Sequence, residues 1–144
     1  MNVLVLCTGN ICRSPMAEVF LREHALRRGQ KVNVRSASIL GLDGRSAHKL
    51  SVKVMMEQGM DISHHRSQPL TDALMVWADE VLGMTLEHCA QVRERYPDAE
   101  ARVSNLAGYA GMIQLKDPLG SWRWTFRTSR DDINRCCQAF IERL

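Results

Sequence analysis

Strand-like and helix-like hydrophobic patterns alternate along the 144 residues, which predicts an α/β fold: a parallel sheet covered by helices on both faces. Two details strengthen this. The run Val3-Leu4-Val5-Leu6 is continuously apolar, as a strand buried on both sides must be. The segments between strand candidates carry apolar residues at helical spacing, and two of them stop on a glycine, Gly29 and Gly59. The length suits one domain, residues 1–144, large enough for a full core.

Val3 to Leu6 opens the chain as a buried strand. Pro15 suits the first turn of a helix, whose apolar face is Ala17, Phe20, Leu21 and Ala25. Val32 and Val34 alternate with polar residues in a second strand ending near Ser36. Ala47, Leu50 and Val54 mark a second helix. Val81 to Met84 is a third strand. Thr85 then caps a helix carrying Leu86, Cys89 and Val92, which ends before Pro97. Val103 to Leu106 is a weaker fourth strand. The last helix shows Phe126, Ile133, Cys137, Phe140 and Leu144 on one face.

The composition is that of a globular domain. A net charge of +3, without a basic stripe, argues against nucleic acid as a partner. No stretch approaches the roughly 20 apolar residues of a membrane span. The apolar start is too short for a signal-peptide core, so a cytoplasmic location is expected. The five cysteines, Cys7, Cys12, Cys89, Cys136 and Cys137, are then expected to be reduced, and none has zinc spacing.

The chemistry concentrates in Cys7-Thr8-Gly9-Asn10-Ile11-Cys12-Arg13-Ser14-Pro15. It follows the first strand directly, and in parallel sheets ligands bind beyond the carboxyl ends of strands. A tight loop leading into a helix offers consecutive N–H groups to an anion. Gly9 permits close backbone approach, and Asn10 tolerates a left-handed conformation. Arg13 supplies a planar fork for two oxygens of a phosphoryl group. Cys7 sits in the same positive field, which favours the thiolate for in-line attack, and Ser14 can donate a hydrogen bond to its sulfur.

The stretch from Cys7 to Glu18 closely resembles the N-terminal signature of the low-molecular-weight protein tyrosine phosphatases. Ser36-Ala37, Asp61-Ile62-Ser63 before His65, Asp79 to Met84 and Asp117-Pro118 follow in family order. The resemblance implies a four-stranded parallel sheet flanked by helices, and catalysis without metal or cofactor through a cysteinyl-phosphate. It implies Cys7 as nucleophile, with Arg13 and the loop Thr8, Gly9, Asn10, Ile11, Cys12 and Ser14 binding phosphate. Asp117 becomes the general acid, then the base. Cys12 gains a redox role, a reversible disulfide that shields Cys7 from over-oxidation. Phosphotyrosine proteins are the implied partners, a bacterial tyrosine kinase among them.

Where relatives carry tyrosines after the acid-loop proline, this chain has Leu119 and Gly120, so Leu119 offers a thinner apolar wall. Trp122 and Trp124 read equally as stacking residues, packing residues or exposed residues at the start of a helix. Arg123, Arg127 and Arg130 read as a solvated helix face or as a basic rim for phosphoproteins. His64-His65 reads as a structural loop pair, and Cys89, Cys136 and Cys137 as core. Two alternative reactions use the same fold. Arsenate reduction needs further relay cysteines, and only Cys89 lies in the expected region. Phosphoarginine-directed relatives carry threonine where Ile11 stands here. A non-catalytic phosphoprotein-binding module is the third reading, disfavoured by Cys7, Arg13 and Asp117 together.

Overall fold

Strand β1 (Asn2–Cys7) lies in the interior of a four-stranded sheet ordered β2-β1-β3-β4, with β2 at Asn33–Ser38, β3 at Glu80–Gly83 and β4 at Val103–Asn105. The computed structural model describes all residues, 1–144. Every pairing is parallel; β1 meets β2 from Asn2↔Asn33 to Cys7↔Ser38 and β3 from Val3↔Glu80 to Leu6↔Gly83. Side chains alternate across a strand, so the apolar run of β1 serves two cores. Val3, Val5 and Cys7 join the larger cluster under α1 (Arg13–Arg27), α2 (Lys49–Met56) and the last helix. Leu4 and Leu6 join the smaller one under α3 (Asp72–Trp77) and α4 (Leu86–Arg95).

From β1 the chain crosses first to β2 on one side, then to β3 on the other. The carboxyl end of β1 is therefore the point where the strand order reverses, which opens a crevice there. Cys7 is the last residue of β1.

Several boundaries differ from the sequence reading. Strand β2 starts at Asn33 rather than Val32 and runs on to Ser38, because its ladder with β1 persists to Cys7. Helix α2 starts at Lys49, after Ala47, because the His48 side chain caps it by accepting from Leu50 N. Strand β4 ends at Asn105, and Leu106 begins a 3₁₀ turn. Helix α3 was not expected; six residues make fewer than two turns and show little periodicity, although Thr71 caps it through Leu74 N. Thr85 does cap α4, accepting from His88 N.

The last helix, α5 (Arg123–Glu142), buries Phe126, Ile133, Cys137 and Phe140 as expected. Leu144 lies beyond its end and is exposed, so it is not part of that face. Neither reading of the arginines holds for all three. Arg130 is buried, donating to Val54 O and Glu57, and Arg127 grips the same Glu57 carboxylate. These two tie α5 to α2 instead of forming a solvated face or rim.

Candidate active site

The loop from Thr8 to Cys12 joins β1 to α1, and the shell around it holds its carbonyls outward. Cys7 O accepts from Ile39 N (3.1 Å), and Thr8 O accepts from Leu40 N (3.0 Å) and Ser38 Oγ (2.7 Å). Asn10 O accepts from His65 Nε2 (2.7 Å), Ile11 O from His48 N (2.8 Å), and Cys12 O from Ser51 Oγ (3.3 Å). In a trans peptide the carbonyl of one residue and the N–H of the next point opposite ways. Anchoring these carbonyls to the shell turns the N–H groups of Thr8, Gly9, Ile11, Cys12 and Arg13 the other way. None of those N–H groups meets an acceptor within the protein. Such a concavity of unpaired donors at a helix N-terminus attracts an anion.

Asn10 carries the strain of the turn. Its φ of 56° is left-handed, uncommon for a residue with a side chain, and it is fully buried. Its amide explains how the conformation is held. Oδ1 accepts from Gln68 N (3.0 Å), which fixes the amide orientation, so Nδ2 donates to Ser14 Oγ (2.8 Å). The Ser14 oxygen being used as an acceptor, its own proton goes to Cys7 Sγ at 3.0 Å. Asn10 N donates to the same sulfur at 3.2 Å. Two hydrogen bonds thus converge on the one sulfur.

Arg13 is 3% exposed. Nη1 donates to Leu115 O (2.9 Å), Nη2 lies 3.5 Å from Asp117 Oδ2, and Nε is buried with no partner. A buried guanidinium N–H without an acceptor is costly unless something else accepts from it. Asp117 is half exposed on the loop before α5, where Leu119 N donates to its Oδ1 (3.0 Å).

A cavity of about 120 Å³ opens over the loop. Cys7, Gly9, Cys12 and Arg13 line it, with Asp117 at its side and Ile11, Leu40, Leu42 and Leu119 as aliphatic walls. Gly9 lies close under this wall; an added Cβ there would come within 3.2 Å of Leu42. The two tryptophans do not line the cavity: Trp122 and Trp124 are 74% and 66% exposed at the start of α5, so of the three readings the exposed helix-start one holds.

Cys12 is buried beside this site, and burial, followed by the negative charges of Asp117 and Cys7, pushes its thiol up to about 12. It is therefore a neutral thiol under ordinary conditions. Cys89, Cys136 and Cys137 are buried in the cores, at 1%, 0% and 0% exposure.

Sequence reasoning missed part of the supporting shell. His65 was read as structural and does support the loop. His48, Ser51 and Ser38 went unnoticed, because residues that bond a loop carbonyl follow no spacing pattern. His88 went unnoticed as well: its ring meets the Thr8 hydroxyl at 3.0 Å. Its one sequence signal is a histidine in the first turn after a strand.

A thiol at the end of the first strand, wrapped by an anion-binding loop and faced by a carboxylate, defines an α/β phosphate-handling protein. The chain belongs to the low-molecular-weight phosphotyrosine protein phosphatase family, whose sequence profile matches residues 2–144. The probable low molecular weight protein-tyrosine-phosphatase EpsP of Ralstonia nicotianae is 36% identical over 143 residues, covering 99% of this chain and 95% of that protein. A protein-arginine-phosphatase of Bacillus subtilis is 32% identical over 146 residues, covering 100% and 97%. Among solved structures, Vibrio vulnificus Wzb in complex with benzylphosphonate matches with a TM-score of 0.91 at 30% identity, over 99% of this chain and 98% of that one.

Proposed function

We propose that this chain, as one phosphatase domain spanning 1–144, hydrolyses phosphotyrosine in proteins in two steps. The phosphoryl group lies in the loop, its oxygens on the N–H groups of Thr8, Gly9, Ile11, Cys12 and Arg13 and on the Arg13 guanidinium, including the free Nε. The Cys7 thiolate attacks phosphorus, the bond to the tyrosine oxygen breaks, and Asp117 gives that oxygen its proton. The Asp117 carboxylate then takes a proton from water, which attacks phosphorus, breaks the sulfur bond and returns the thiolate. The loop stabilises negative charge in both transition states without having to reorganise.

The observation that carries this reading is the anchored loop, its unpaired donors and guanidinium converging around a sulfur that meets two hydrogen-bond donors. The walls support an aromatic substrate: Ile11, Leu40, Leu42 and Leu119 are aliphatic and suit a ring better than a charged guanidinium. Kinship with the Bacillus subtilis arginine phosphatase makes phosphoarginine the comparison to run. Arsenate reduction is disfavoured, because Cys89, Cys136 and Cys137 are buried in the cores and do not line the cavity, so no further thiol stands there to carry electrons onward. Cys12, neutral and next in the loop, is assigned the reversible disulfide with Cys7. The proposed partners are phosphotyrosine proteins, a bacterial tyrosine kinase among them, in the cytoplasm; no helix is long and apolar enough to cross a membrane.

The decisive experiment is steady-state turnover of an aryl phosphate without added metal, then of phosphotyrosine and phosphoarginine peptides. Wild type should turn over the aryl phosphate, vanadate should inhibit it, and phosphotyrosine should be preferred. Cys7→Ser should lose about 10⁴-fold or more, since a hydroxyl is a far weaker nucleophile at neutral pH. Substantial activity in that variant removes Cys7 as nucleophile; preference for phosphoarginine moves the substrate class.

A further inference from the structure

We propose that His88 is a positioning residue for the phosphate loop: its Nε2–H holds the hydroxyl of Thr8, the residue after the sulfur, and so sets how tightly the loop grips a phosphoryl group. The inference rests on the loop being the phosphate site, as proposed above.

The geometry assigns the tautomer. His88 is 5% exposed, in the first turn of α4. Met84 N donates to its Nδ1 at 3.3 Å, so Nδ1 is the acceptor and Nε2 carries the proton. Nε2 lies 3.0 Å from Thr8 Oγ1, which therefore accepts. The rest of the loop is held elsewhere, Asn10, Ile11 and Cys12 by groups near α2 and the segment after it, Thr8 O by Ser38 and Leu40. From the β3–α4 side, the His88 ring supplies the loop's one hydrogen bond. Its loss removes the loop's tie to α4 at Thr8 and leaves that residue held only from the β2 side, through Thr8 O, beside the N–H groups of Thr8 and Gly9 that face the cavity side.

The link needs a neutral imidazole. A proton on Nδ1 would set it against the Met84 N–H, donor to donor, and the ring would have to leave Thr8. Burial, reinforced by the Arg13 charge from α1 and opposed by Asp117 from the acid loop, lowers His88 to about 4. Glu87 and Cys89 are its neighbours on α4 itself.

Two variants of the full chain separate the loop link from mere packing. In His88→Asn the side-chain oxygen can replace Nδ1 as acceptor for Met84 N–H but cannot reach Thr8. In His88→Gln the amide nitrogen can reach Thr8. Inorganic phosphate is titrated calorimetrically, and kcat and KM are measured with an aryl phosphate from pH 4 to 7. His88→Asn should weaken phosphate binding and raise KM about tenfold, the loss of one loop hydrogen bond, with kcat within about twofold because Ser14, Asn10 and Asp117 are untouched. His88→Gln should stay within about threefold of wild type. Below about pH 5 wild type should lose phosphate affinity relative to His88→Gln, whose side chain does not titrate. Nitrogen-15 spectra of wild type should show the Nε2–H tautomer.

Equal impairment of both variants, unchanged phosphate binding in His88→Asn, a pH-independent ratio, or an Nδ1–H tautomer would each overturn the proposal. The tautomer and the phosphate titration require no turnover. If wild type failed to hydrolyse any phosphoester, the functional reading would fall while these two measurements still decided His88.

Discussion

Asp117 shows at residue scale how little a dipeptide says alone. Asp-Pro is a common turn, and only the fold brings this carboxylate to the cavity that Cys7 lines, 3.5 Å from the Arg13 guanidinium. A proton donor matters in proportion to the basicity of the departing oxygen. Asp117→Asn should therefore slow cysteinyl-phosphate formation by about 10²–10³-fold for alkyl or weakly activated aryl phosphates and far less for a nitrophenyl ester. Rapid-quench kinetics across a leaving-group series measures this. A uniform loss across the series would remove Asp117 from the acid role. Asn10 was legible as a residue tolerant of left-handed backbone. Its use of both amide ends, to orient the Ser14 proton onto sulfur, was not legible, because Gln68 is far along the chain.

The pair α2 and α5 makes the same point at the scale of elements. Their apolar faces were readable from periodicity; their fastening was not. Arg130 is 8% exposed and spans from α5 to Val54 O (2.8 Å) and Glu57 Oε1 (3.0 Å), while Arg127 Nη2 holds Glu57 Oε2 at 2.6 Å. The guanidinium pair draws the Glu57 carboxyl down to about 2. Arg130→Met keeps the apolar stem but leaves the Val54 carbonyl unpaired. It should cost about 2 kcal/mol, or about 6 °C in Tm, read by thermal and urea unfolding. Since α2 holds the loop through His48 N and Ser51 Oγ, KM for an aryl phosphate should rise modestly while kcat stays within about twofold. An unchanged Tm would show the clamp to be idle.

Across the whole molecule, acid stability follows from groups that reach the loop from different elements. His88 is lowered to about 4 by burial and the Arg13 charge; His48, which caps α2 and stacks on Phe126 with centroids 4.9 Å apart, is lowered by burial and Lys49. An unfolded imidazole binds its proton near pH 6.5. Between that value and about 4 the unfolded chain holds more protons than the folded one, so stability is full above pH 6.5 and falls as pH drops. His88 alone should remove about 2 kcal/mol by pH 4, after allowing for relaxation around the ring. Glu57 works in a lower window, its contribution lost as pH falls from about 4.5 toward 2. Thermal midpoints from pH 7 to pH 3 should show both declines, and His88→Gln should flatten the upper one. A flat profile from pH 7 to pH 4.5 in wild type would contradict the neutral, enclosed histidines.

Local chemistry set down a great deal in advance. The continuous apolar run of β1, the glycine stops after α1 and α2, the Thr85 cap and the Cys7-to-Ser14 loop are short-range features whose physics is complete within a few residues, so strand, helix and anion-binding turn could be read directly. Tertiary structure alone decided which distant groups hold that turn. Carbonyl anchors from Ser38, His48, Ser51 and His65, the Gln68 bond to Asn10, and His88 on Thr8 are single contacts across long chain separations. A hydrogen bond of that kind depends on where two backbones pass each other, and it leaves no periodic trace in the residues between.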